Sequence, residues 1–135
     1  MKPFLVALFS TYSLILILDI PWLSIMNKIF YSKNLSHLLS SSPKLLPAAG
    51  FYIIYGLALT ILIILPALTG SYSSSKVFLL AALFGLAAYA TYDLTNQATL
   101  KNWPLLVTLV DLTWGTLLTA FVGLISFLIT KKALT

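Results

Sequence analysis

The sequence has no cysteine, no arginine and no glutamate, and its one histidine is His37. Without cysteine there is no disulfide framework, no thiol nucleophile and no cysteine-ligated metal. Without arginine there is no bidentate clamp for phosphate. Charge of either sign is scarce. Eight lysines and three aspartates make up 8% of the 135 residues, against 60% hydrophobic residues. That is too little charge to cover the surface of a soluble domain, so lipid is the expected solvent. The lysines form no cluster that would suit nucleic acid, and a nucleic-acid partner is not expected. The net charge of +5 instead suits anionic membrane lipid. Serine-elbow and HExxH motifs are both missing.

What remains is four long apolar runs. The first extends from Phe4 to about Ile25, between Lys2 and Lys28. It is long for a signal peptide and no small-x-small cleavage site follows, so it reads as an uncleaved span. Residues 27–46 are too charged and serine-rich to cross a bilayer. Within them Tyr31, Leu35, Leu38 and Leu39 share a helical face, which fits either a short interfacial helix or an ordinary loop. Pro47 opens the second span, to about Leu68, at a position where a missing N–H costs nothing. Ser73, Ser74 and Ser75 offer N-caps for the third, Lys76 to Asn96. After the short connection TLKNW, Asn102 and Pro104 start the fourth span, which runs to about Ile129. Some 20 residues at 1.5 Å each cross a core of roughly 30 Å.

The expected fold class is therefore an all-α integral membrane protein. Four transmembrane helices form one antiparallel bundle, a single domain over residues 1–135. Both termini then share one side of a multi-pass cell-membrane protein. Four lysines fall on each side, so the positive-inside rule barely chooses, with Lys2, Lys131 and Lys132 tilting the termini toward the cytoplasm.

Antiparallel spans make a further prediction. Asp19 and Asp111 fall at a depth of roughly 10 Å from the face opposite the termini, with Asp93 shallower. Tyr52 and Tyr55 enter from that same face, so all three carboxylates share a leaflet with two tyrosines. Helical spacing groups Tyr89 with Asp93 and Asn96, Tyr12 with Asp19 and Trp22, and Thr108 with Asp111 and Gly115. LDIPW (18–22) and VDLTW (110–114) repeat one pattern on helices of opposite direction, as an inverted internal repeat would. An ionised aspartate costs about 2.5–3.5 kcal/mol at mid-span. A helix-tying hydrogen bond returns roughly 0.6–2 kcal/mol. Three such residues in one leaflet, with no lysine at the same depth, suit a functional cavity better than packing alone.

LDIPW, AGFYIIYG (49–56), FGLAAYATYDLTNQATLKNWP (84–104) and VDLTWG (110–115) together resemble the DUF2177 family. These are small four-span bacterial and archaeal membrane proteins of unknown function. The resemblance implies four spans and a membrane location, and supplies no reaction and no site residues.

The candidate ligand or proton site is Asp19, Asp93, Asp111, Tyr52, Tyr55, Tyr89, Asn96, Trp22 and Trp114. Carboxylates among aromatic rings suit a small cation, a proton or a lipid-like ligand. Transport by so few spans would call for a homodimer. One alternative is an accessory or assembly protein whose polar network is structural. Another is a metal-dependent enzyme acting on lipid or isoprenoid, with paired carboxylates on a divalent ion and Lys101 or His37 assisting. The sequence names no cofactor and no metal. A cavity of roughly 300 Å³ or more reaching all three aspartates favours a ligand or substrate. A closed, fully satisfied network favours structure.

Overall fold

Each apolar run folds as one long helix in the computed structural model, which describes residues 1–135. The helices are α1 (Lys2–Asn34), α2 (Leu45–Thr69), α3 (Ser74–Thr99) and α4 (Leu105–Leu134), each long and apolar enough to cross a membrane. Local chemistry sets the ends. Ser73 caps α3 by accepting a hydrogen bond from the Lys76 N–H at 3.2 Å. Pro47 lies in the first turn of α2, where its lost donor is harmless. Asn102 takes a left-handed φ of 62°, which asparagine tolerates, and turns the chain between α3 and α4.

The helices run antiparallel to their neighbours. Thr11 meets Ser126 and Asp19 meets Trp114 across α1 and α4, while Thr11 meets Thr60 and Asp19 meets Tyr52 across α1 and α2. One stripe of α1 is buried, namely Ala7, Thr11, Ile15 and Asp19 at every fourth residue. Its opposite side, with Phe9 and Ile17, is exposed as a lipid-facing surface should be. Helix α4 is the hub. Trp114 contacts α1, Thr119 contacts α2 and Gly115 contacts α3.

The α3–α4 seam is made of small residues. Val77, Ala81 and Gly85 face Gly115, Thr119 and Gly123, both series spaced by four. A Cβ on Gly123 would stand 2.6 Å from that of Ala81, and one on Gly115 would collide with the Tyr89 ring. Bundles in lipid rely on such close backbone approach because no hydrophobic effect drives helices together there.

The first helix departs from the expected boundary. Instead of a separate interfacial helix or a loop from residue 27, α1 continues through a π turn at Asn27–Tyr31 to Asn34. No proline or glycine lies between Pro21 and Pro43 to stop it. Leu35 is buried, whereas Leu38 and Leu39 are exposed in the connection that follows. A second π turn, Thr60–Ile64, interrupts α2 just before Pro66.

Candidate functional site

The half of the bundle away from the chain ends holds all three carboxylates, and the three differ in how many donors they receive. Asp19 ends the buried stripe of α1. It accepts the Tyr52 hydroxyl at 2.5 Å on one oxygen and the Trp114 indole N–H at 2.8 Å on the other. Asp111, half-buried on α4, accepts the Tyr31 hydroxyl at 2.5 Å. Asp93, on α3, is 0% exposed, and neither carboxyl oxygen receives a hydrogen bond from an N–H or hydroxyl group, although it stands within hydrogen-bonding reach of another carboxyl. Its ionisable neighbour across the seam is Asp111. The tally runs two, one, none.

The two repeated segments meet face to face. Trp22 and Trp114 stack with ring centroids 4.0 Å apart and planes 4° from parallel. Each indole N–H then serves the other motif's aspartate. Trp114 donates to Asp19 directly, and Trp22 donates at 3.4 Å to Tyr31, which donates to Asp111. The exchange makes a local two-fold relation between α1 and α4 and ties both rings in place.

Around this core lies a cavity of about 1240 Å³. Asp19, Asp93 and Asp111 line it, together with Trp22, Trp114, Tyr52 and Tyr89 from the expected set. Tyr89 packs against Gly115, so the missing side chain at Gly115 leaves the ring its room. Two members of the set stand elsewhere. Tyr55 is buried in the α2–α4 interface, bonded at 2.5 Å to Thr119, and does not line the cavity. Asn96 lies half-buried one helical turn beyond Asp93 and is also outside the lining.

Tyr31, Tyr92, Trp103 and Lys28 are among the cavity residues outside the expected set. Tyr31 and Lys28 had been assigned to the polar segment after the first span, and the unbroken helix that carries them into the cavity could have been read from the missing breakers. Trp103 looks like an interfacial belt residue but is 6% exposed. The Asn102 turn swings it inward, where its N–H donates to Thr108 at 3.0 Å and Thr108 donates to Gln97 at 3.1 Å. Lys28 and exposed serines such as Ser32 and Ser36 form the rim. The carboxylates share the cavity without converging on a point, and no group of three or more His, Cys, Asp or Glu side chains is placed to hold a metal ion.

Residues 4–128 match the family model described as "Predicted membrane protein (DUF2177)". The chain belongs to the DUF2177 family. Neither a curated protein nor a solved structure matches it. The match takes in both repeated segments and every aspartate, so the cavity lies wholly within the DUF2177 portion of the chain.

Proposed function

We propose that this DUF2177 protein binds a small cationic or lipid-like ligand in the carboxylate cavity, with Asp93 and Asp111 as its charged seat. The supporting observation is Asp93. A buried carboxyl without partners costs several kcal/mol in a low-dielectric surrounding, and native structures rarely leave such a group unexplained. Here it stands in the wall of a 1240 Å³ cavity beside a second carboxylate. A purely structural network would have supplied donors and filled the space. Tyr52, Tyr89, Trp22 and Trp114 complete the lining, Asp19 braces it, and Tyr55 and Asn96 act as supports outside the wall.

The adjacency of Asp93 and Asp111 also favours a second reading. One proton held between them would neutralise the pair and make it a station in a proton relay. The metal-dependent enzyme carries less support, because the carboxylates form no three-ligand group and there is no arginine for a diphosphate. Transport, if the bound species crosses the bilayer, needs a second copy of the chain to supply the moving surface. We place both termini on the cytoplasmic side, with Lys2, Lys131 and Lys132, so that the cavity serves the outer leaflet. Tags at both ends found outside the cell would overturn that orientation, and tags on opposite faces would overturn the four-span topology.

Native mass spectrometry of the protein released from nanodiscs tests the binding reading. Wild type should retain an added mass that Asp93→Asn and Asp111→Asn lose. An added mass retained equally by all three proteins would overturn the carboxylate seat, and no added mass in any of them would remove the ligand.

A further inference from the structure

Resting on that cavity reading, we infer that the ligand carries a primary ammonium on an apolar stem, seated at Asp93 and Asp111. The donor tally locates the seat. Asp19 has both oxygens occupied by Tyr52 and Trp114 and has little left to offer. Asp111 accepts one hydroxyl, and both oxygens of Asp93 are buried in the cavity wall without an N–H or hydroxyl donor. A ligand that satisfies the pair in its charged form brings hydrogen-bond donors and positive charge together.

Each simpler ligand supplies half of that. A quaternary ammonium brings charge without an N–H, and an alcohol brings a donor without charge. A bare divalent ion wants six or more oxygens around it, and these side chains do not gather as a metal-ligating group. A primary ammonium has three N–H groups, enough to span two neighbouring carboxylates. The rest of the lining suits its stem. Trp22, Trp103 and Trp114 present aromatic surface near the charge, and Leu23, Leu35 and Phe51 extend an apolar wall toward the rim. Lys28 at that rim repels a second positive charge, which favours a monoamine over a diamine, and it would pair with a phosphate. Two sources carry this chemistry: an aminophospholipid headgroup and a free alkylamine.

All three tryptophans of the chain line the cavity, so intrinsic fluorescence reports directly on its occupancy. The protein would be placed in phosphatidylcholine nanodiscs, whose headgroups have no N–H, and titrated with hexylamine, hexyltrimethylammonium and hexanol. A saturable change with hexylamine is expected, with midpoints at least about tenfold higher for the other two, as loss of a charged hydrogen bond implies. Asp93→Asn should raise the hexylamine midpoint by a similar factor. In discs containing phosphatidylethanolamine, a raised hexylamine midpoint identifies the lipid headgroup as the source, and an unchanged one identifies the free amine. Equal midpoints for hexylamine and hexyltrimethylammonium would overturn the ammonium inference while leaving a cation cavity. No response to either cation, with an adduct still seen by mass spectrometry, would overturn it in favour of an uncharged ligand.

Discussion

The two ends of the bundle handle polar groups in opposite ways. Near the chain ends, Thr60 donates to Thr11 at 3.4 Å, Thr11 donates to Ser126 at 3.2 Å, and Thr130 donates to the Ser126 carbonyl at 2.7 Å. Those hydroxyls are all buried among Leu59, Ile64, Val122 and Phe127. A pocket of about 110 Å³ lies at that end beside Phe127 and Lys131. At the far end three carboxylates stand in the wall of a cavity of about 1240 Å³, and one of them receives no N–H or hydroxyl donor. Neutral hydroxyls that satisfy one another hold helices together at small cost. A buried carboxyl with no N–H or hydroxyl donor is the reverse case, and the proposed ligand rests on it. The same fold thus contains both a structural polar network and its counterexample, which makes the contrast testable within one protein.

The largest expected effect is at Asp19, because it belongs to the far end by position and to the structural class by bonding. Asp19→Ala leaves the Tyr52 hydroxyl and the Trp114 N–H without an acceptor, and should destabilise the bundle by about 2–4 kcal/mol. Unfolding in mixed micelles would measure it, and a loss under about 1 kcal/mol would show that Asp19 is no brace. Asp93→Asn should behave in the reverse manner. No N–H or hydroxyl donor loses its acceptor, and the new amide can donate to Asp111, so stability should stay within roughly 1 kcal/mol of wild type or rise, while ligand retention falls. A severe folding defect in Asp93→Asn would place Asp93 in the structural class and erase the contrast. The smallest effect belongs to Ser126→Ala, about 0.6 kcal/mol by analogy with interhelical hydrogen bonds in other membrane bundles, with ligand binding untouched. Weakened binding in that variant would mean that the two ends are coupled.

The helices and their order were legible because lipid enforces long, unbroken apolar runs. Ser73 as a cap, Pro47 in a first turn and the antiparallel α3–α4 pair followed from local chemistry. The depth count brought Asp19, Asp93 and Asp111 to one end because rise per residue is nearly constant in a helix. Rotation about the helix axis was harder to read. Tyr52 and Tyr55 are three residues apart on α2, yet Tyr52 turns to Asp19 and Tyr55 to Thr119. Which helix each one faces depends on packing angles that a single sequence does not fix. The donor tally was also beyond reach, since spacing cannot show that Trp114 serves Asp19 while Asp93 is left alone. The small-residue series on α3 and α4 was present in the sequence as glycine, alanine and threonine at intervals of four. It is what sets the seam where Asp93 and Asp111 become neighbours.

The π turn at Asn27–Tyr31 makes chain length itself a part of the site's chemistry. Tyr31 comes nine positions after Trp22, yet the two side chains are hydrogen-bonded. In an uninterrupted α-helix, at about 100° per residue, they would point roughly 180° apart. The wider turn absorbs one residue of that count, so Tyr31 stands where an eighth residue would, roughly 80° from Trp22. Its hydroxyl can then meet the Trp22 indole and the Asp111 carboxylate at once. The number of residues between the DIPW segment and Tyr31 is thus as much a specification of the cavity as their identities. A chain one residue shorter there would reach the same place with no wide turn, whereas one of the same length without the turn would carry its tyrosine away from Asp111.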